Sequence, residues 1–206
     1  MNFRLAILVV FSILGIMGCS FTMKGIYGMN KLKLLNDQTI IQYSEKFNIP
    51  LMDNYKLDSS YVAFLSSIDT LKYKEQIKNH LQPLQVLYYN KNGKLESFQI
   101  NCYTGGFPNL NWDRESIMNT FPPKNQAPID NLIPLKLQLE KIIPLHHTNI
   151  ISIENYDYIV FVYWNRFMGR QSKRLIHFVQ ENYKLAKDFN VKIIYVNTDN
   201  VFASFN

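Results

Sequence analysis

Seven consecutive residues, Tyr158-Ile159-Val160-Phe161-Val162-Tyr163-Trp164, carry no charge and are all aromatic or β-branched. Such a run predicts a strand covered on both faces, because a half-exposed strand places a polar residue at every second position. Downstream, Leu175, Ile176, Val179, Tyr183 and Ala186 recur at spacings of three and four, which predicts a helix from about Gly169 to Phe189. Val191 to Val196 then predict a second strand, ended by Asn197-Thr198-Asp199-Asn200. Strand, long helix and strand in this order predict a parallel βαβ unit over residues 151–206, since parallel strands need a long crossover. The expected fold class is α/β.

The chain ahead of this unit reads as an α+β region over residues 34–150. Asn36 or Asp37 caps a predicted helix to about Phe47, stopped by Asn48-Ile49-Pro50. Further helices are expected from Asp58 or Ser59 to Ile68 and from about Leu71 to Leu81. Gln85–Tyr89 and Leu95–Cys102 flank the turn Asn90-Lys91-Asn92-Gly93-Lys94, a hairpin signal. From Tyr103 to about Pro134 the glycines and prolines predict a long functional or wrapping loop, with Trp112, Phe107 and Phe121 pinning it to the core. Leu135–Ile143 is expected to form a short helix or strand.

Composition excludes several classes. Hydrophobic residues make up 47% of the chain and aromatics 14%, enough apolar surface to offset ordering entropy, so a disordered polymer is excluded. Two cysteines exclude a disulfide-stapled scaffold. No glycine-rich phosphate loop, Gly-x-Ser-x-Gly elbow or His-Glu-x-x-His helix is present. His146 and His147 are adjacent, and adjacent residues of an extended chain point to opposite faces, while His80 and His177 show no ligand spacing; no metal or other cofactor is expected.

The first 18 residues read as an export leader: Arg4, then an apolar run from Leu5 to Met17 broken only by Ser12. That run is too short for the ~20 residues of a membrane-spanning helix. It ends in Ile16-Met17-Gly18-Cys19, which resembles the bacterial lipobox. The resemblance implies cleavage after Gly18 and diacylglycerol, with a further acyl chain, on Cys19. It further implies that residues 19–33 form a lipidated tether and that the protein is expected at a membrane, on the periplasmic or extracellular side of the cell envelope. Loss of Arg4 lowers the net charge from +6 to +5, too small and dispersed for a nucleic-acid partner.

The carboxyl-terminal segment resembles the thioredoxin-like family, in the form of its exported and membrane-tethered bacterial oxidoreductases. That signature is a buried strand, Phe-Trp-Ala-x-Trp-Cys-x-x-Cys and a long helix; this chain has Val162-Tyr163-Trp164-Asn165-Arg166-Phe167-Met168-Gly169-Arg170-Gln171. Trp164 and Phe167 match the aromatic positions, while Met168 and Gln171 stand at the two cysteine positions. The resemblance implies the fold and argues against dithiol exchange, because a thioether and an amide offer neither a thiolate nor a resolving thiol. The family's fold needs a hairpin and a helix after its βαβ half, and the sequence leaves two arrangements open: the hairpin 85–102 completes the sheet from upstream, or the amino-terminal part is its own α+β unit packed on the βαβ end.

Arg166, Arg170, Lys173 and Arg174 gather around the same place, the last three on one predicted helical face. Cations in a first helical turn oppose the helix dipole by ~0.3–1 kcal/mol each, so an anion or an acidic envelope partner is the candidate ligand; the alternative is a solvated basic face paired with Glu181 or with acids elsewhere. Cys102, the only other thiol, is expected as a buried strand-end cysteine. Three readings follow: a redox-inactive binding or accessory module; an enzyme, using Cys102 as a single thiol or the 103–134 loop for hydrolysis; or a structural envelope lipoprotein.

Overall fold

The computed structural model describes residues 28–107, 109–146 and 152–205. The leader, Cys19, most of the tether and His147 lie outside the described residues. Among the described residues no helix is long and apolar enough to cross a membrane.

Among the described residues six strands, β1 (Asn54–Leu57), β2 (Gln85–Asn90), β3 (Leu95–Ile100), β4 (Ile142–Pro144), β5 (Tyr158–Trp164) and β6 (Val191–Asn197), form one mixed sheet in the order β3-β2-β5-β6-β1-β4. β5 and β6 are parallel, in register from Tyr158↔Val191 to Trp164↔Asn197. β2 runs antiparallel to β5, from Gln85↔Tyr163 to Asn90↔Tyr158, and β3 returns antiparallel to β2. The hairpin therefore joins the same sheet as the βαβ unit, which takes strands from both sides of residue 150. β1 adds in parallel to β6, and β4 closes the far edge antiparallel to β1.

Period-two alternation divides β5 between two cores. Ile159, Phe161 and Tyr163 face one layer with α2 (Ser60–Ser67), α3 (Lys74–His80) and α5 (Leu135–Glu140), through Tyr61, Leu65, Ile77 and Leu135. Val160, Val162 and Trp164 face the other, with α6 (Gly169–Tyr183) through Leu175, Ile176 and Val179, and α1 (Asp37–Lys46) through Ile40. Coverage on both faces is why the seven-residue run holds no polar residue. The result is an α/β fold, as the strand–helix–strand pattern predicts.

Several boundaries differ from expectation for identifiable reasons. α3 starts at Lys74 because the Asp69 carboxylate accepts from the Leu71 and Lys72 amides and turns the chain first. β3 ends at Ile100, and Asn101–Thr104 forms a helical turn (α4). α6 ends at Tyr183, where the amides of Lys184, Leu185 and Ala186 turn back onto carbonyls three residues earlier. β1, β4 and α7 (Asp199–Ala203) carry no sequence signal strong enough to announce them.

The long loop wraps. Asn125 Oδ1 accepts from the Phe98 amide at 2.9 Å, and the Ala127 amide donates to the Phe98 carbonyl at 2.8 Å, so the loop covers the β3 edge. Trp112 is fully buried, and Phe121 packs edge-on against Tyr88 and Tyr158 at 5.9 and 5.2 Å; Phe107 is exposed. On the opposite face, buried Gln138 links two tyrosines: Tyr163 Oη donates to its Oε1 at 2.5 Å, and its Nε2 donates to Tyr89 Oη at 3.4 Å. Gln138→Ala should lower the unfolding free energy by about 1–3 kcal/mol, because it strands a buried hydroxyl. Urea unfolding beside Tyr163→Phe tests this, since the double variant should recover part of the loss.

Candidate functional site

In open sheets containing parallel strands, ligands gather beyond the carboxyl ends of those strands. Here that end carries the β5–α6 corner, the residues after β6, the residues before β2 and the turn after β3. Hydrogen bonds tie them together. Asn165 Nδ2 donates to the Pro83 carbonyl at 3.0 Å, Thr198 Oγ1 donates to the same oxygen at 3.3 Å, and the Thr198 amide donates to the Trp164 carbonyl at 2.9 Å.

The corner is built from Asn165 and Asp199. Asn165 Oδ1 accepts from the Met168 amide at 2.8 Å and so closes the turn ahead of α6, while Ser172 Oγ donates to the Asn165 carbonyl at 2.7 Å and receives its amide. Asp199 is fully buried. Its carboxylate accepts from the Arg166 amide at 2.6 Å, the Phe167 amide at 3.2 Å and Asn197 Nδ2 at 2.9 Å. Burial pushes its carboxyl above the ordinary value, against the opposing pull of those donors and of the Arg166 charge. Neither Asn165 nor Asp199 is marked by the sequence pattern, where Asp199 reads only as part of a strand-ending polar run. The usable signal is its place just beyond a parallel strand.

Met168 and Gln171 sit at the start of α6, both buried, and Gln171 Oε1 accepts from the Leu110 amide at 3.1 Å. Trp164 lies fully buried at the end of β5, edge-on to Phe47 at 5.5 Å. The segment ahead of α1 crosses this corner: the Asn30 amide donates to the Phe167 carbonyl at 2.6 Å, and Asn30 Nδ2 donates to the Arg166 carbonyl at 2.9 Å. Gly28, at φ +64°, lets the strap approach Arg170, since a Cβ there would lie 2.8 Å from Arg170 Cβ.

The four cations do not form one surface cluster. Arg166 is buried, its Nη2 donating to the Lys31 carbonyl and its guanidinium 6.0 Å from the Tyr43 ring centroid. It is a strap-fastening residue, which its spacing in sequence does not reveal. Arg170 and Lys173 are exposed on α6, and Arg174 is half-buried with Nε toward the Leu110 carbonyl at 3.4 Å. Glu181 pairs with Lys184 at 2.7 Å and lies 3.9 Å from His177.

Cys102 corrects the expectation of burial. Because the chain turns into α4 after Ile100, the thiol is exposed, and Sγ donates to Gln82 Oε1 at 2.9 Å. Gln82 precedes Pro83, so the thiol belongs to the same end of the sheet as the corner. Arg114 and Glu115, 3.3 Å apart, are exposed on the long loop, and His146 is exposed. Among the described residues no cluster of three or more His, Cys, Asp or Glu side chains has metal-ligand geometry. Compared with protein-family models, curated proteins and solved structures, the chain finds no match.

Proposed function

We propose that this chain is a lipid-anchored cell-envelope protein whose thioredoxin-like domain is redox-silent and acts as a binding or accessory module for an acidic partner. The observation that carries the reading is the β5–α6 corner: a buried tryptophan leads into a helix whose family cysteine positions hold Met168 and Gln171. The hairpin antiparallel to β5 supports it, supplying from upstream the strands that such a sheet requires. Without thiols at the helix entry, the exposed chemistry is cationic: Arg170 and Lys173, with Arg174 beside them. Cys19 lies nine residues ahead of Gly28 (28 − 19 = 9), so a lipid there would hold the corner within about 30 Å of a membrane.

Two measurements test the reading. Mass spectrometry of the membrane-extracted protein should find Cys19 as the first residue, carrying diacylglycerol; an unmodified Cys19 removes the tether. The chain carrying Arg170→Glu, Lys173→Glu and Arg174→Glu should lose salt-sensitive binding to polyglutamate, and undiminished binding removes the acidic-partner role. One observation favours a second reading, a structural envelope lipoprotein: the strap through Asn30 and Lys31 already occupies backbone and side-chain groups of Arg166 and Phe167. Wild-type protein with no affinity for polyglutamate would favour it. The exposed Cys102 would regain an enzymatic role if a disulfide substrate were turned over by the wild type and not by Cys102→Ser.

A further inference from the structure

At the amino end of β6, away from the β5–α6 corner, the sheet narrows. β1 begins at Asn54, opposite Tyr195, so the first residues of β6 have no β1 neighbour; the chain ahead of β1 turns through Leu51–Asp53 instead. A cleft of about 390 Å³ opens beside this gap, with Asp53, Tyr156, Gln180, Tyr183 and Lys192 in its lining. Asp53 and Lys192 are paired, Oδ1 accepting from Nζ at 2.5 Å, yet both side chains stay partly open to solvent, 24% and 23% exposed. A carboxylate has about four acceptor sites and an ammonium about three donors, so one bond between them leaves both able to bond further. Burial opposes the charge on Lys192, but the hydrogen bond and charge of Asp53 hold its ammonium above the ordinary value, and it stays charged at neutral pH. Tyr183 is 47% exposed and Tyr156 half-buried, so the cleft presents aromatic surface beside the ion pair.

These features select among ligand classes. An anion gains from Lys192 what it loses to Asp53, and a cation the reverse, because opposite charges in contact nearly cancel at a distance. An apolar molecule would strip water from both ions and return no hydrogen bond. A zwitterion has to split the pair to meet each charge separately. A hydroxyl both donates and accepts, and two on adjacent carbons can bond to Asp53 and Lys192 while the pair stays closed. A sugar ring supplies such hydroxyls. It also carries a face of C–H groups, whose positive hydrogens suit the negative face of a tyrosine ring.

We propose that this cleft binds one uncharged sugar ring, with Asp53 and Lys192 on adjacent hydroxyls and Tyr183 against the C–H face. Its volume lies at the lower end of the ~300–1,000 Å³ of small-ligand pockets, which suits a single ring. The site shares no side chain with the β5–α6 corner, and the inference stands apart from the function proposed for it.

NMR titration of the full chain with D-glucose, D-galactose, D-mannose and N-acetyl-D-glucosamine tests the site. At least one should saturate near about 1 mM, the affinity ordinary for a ligand of about twelve non-hydrogen atoms, and should shift the Lys192 and Tyr183 amides. D-glucuronate and D-glucosamine, which add one charge of either sign, should bind no more tightly than the neutral sugars. Methyl glycosides of the same hexoses separate two sources of such a ring: retained binding assigns the end of a glycan and lost binding a free sugar, and both uphold the site. Tyr183→Ala should weaken binding about tenfold, while Tyr183→Phe, which keeps the ring, should stay within about twofold. Asp53→Ala with Lys192→Ala should also cost about tenfold or more, since hydrogen bonds to charged groups are lost. Tyr183 is exposed enough that its variants keep the fold, so the test does not depend on the double variant. No saturable binding of any neutral sugar by the wild type, tighter binding of either charged sugar, or undiminished binding in Tyr183→Ala would overturn the proposal.

Discussion

Alanine at position 199 should lower the unfolding free energy by about 3–5 kcal/mol, since two backbone amides and one side-chain amide lose a buried, charged acceptor together. The donors are the Arg166 and Phe167 amides and Asn197 Nδ2. No solvent can replace the lost oxygens, because the site is buried from every side. Asp199→Asn should cost less, as one carbonyl oxygen remains, but its NH₂ then faces at least one of the same donors. Urea unfolding of the three proteins measures the order, wild type above Asp199→Asn above Asp199→Ala. Equal midpoints would show that the corner does not depend on this side chain.

The same carboxyl makes the effect depend on pH, with a sign opposite to that of the usual acidic residue. Its folded pKa lies above the ordinary 3.8, raised first by burial and only partly offset by its donors. The native chain therefore keeps a proton that the unfolded chain has already released. Its contribution is fully present below the unfolded value and declines as pH rises through the folded value. Because Asp199→Ala lacks this titration, the gap between wild type and variant should be wider at about pH 4 than at about pH 7. Asp130, whose carboxyl is lowered, works in the other direction: its contribution is present above its unfolded value and lost as pH falls through the folded one. It is unchanged in both proteins and so cancels from the difference.

The second large effect is a gain. Met168→Cys with Gln171→Cys should create a disulfide that closes when the protein is incubated with glutathione disulfide. Two protein thiols would give up two protons and two electrons, and the glutathione disulfide would leave as two glutathiones. Positions three apart in a first helical turn place Cα atoms about 5 Å from each other, inside the range a disulfide spans. The helix entry and the nearby Arg170 and Lys173 would favour the thiolate. Thiol counting with mass analysis after oxidation should show two thiols lost in the double variant with no glutathione attached, whereas a single variant can lose its one thiol only by holding glutathione as a mixed disulfide. The exposed Cys102 is removed by Cys102→Ser in all three to keep the count clean. Two thiols still free in excess oxidant would end the argument that this corner is a redox scaffold with its sulfurs replaced. Loss of the Gln171 bond to the Leu110 amide should also loosen the long loop, visible as faster amide exchange around Leu110.

What was legible and what was not divides along the range of the forces involved. The run Tyr158–Trp164 announced β5 residue for residue, because a strand buried on both faces must be apolar at every position. Val191–Val196 lacks only the final Asn197 of β6, whose burial is tied to its bond with Asp199. β1 went unseen because Asn54-Tyr55-Lys56-Leu57 is short and mixed; it is a strand by virtue of pairing with Tyr195–Asn197 on one side and Ile142–Pro144 on the other. Cys102 was placed on the wrong side of the surface because the chain leaves the strand two residues early, as Asn101 exchanges hydrogen bonds with Leu84. Arg166 looked like one cation of a face and proved to fasten the strap, a contact between residues 135 apart in sequence.

By itself, then, the sequence determined the class of the fold, the βαβ unit and the absence of thiols at the helix entry, since each is written in local periodicity or residue identity. Tertiary structure alone decided that the hairpin lies against β5, that Asp199 holds the corner, and that Asp130 meets buried His80 across fifty residues of chain. Those depend on which distant segments share a low-dielectric interior, where one unpaired polar atom outweighs many local propensities, and no neighbour in the chain reports it.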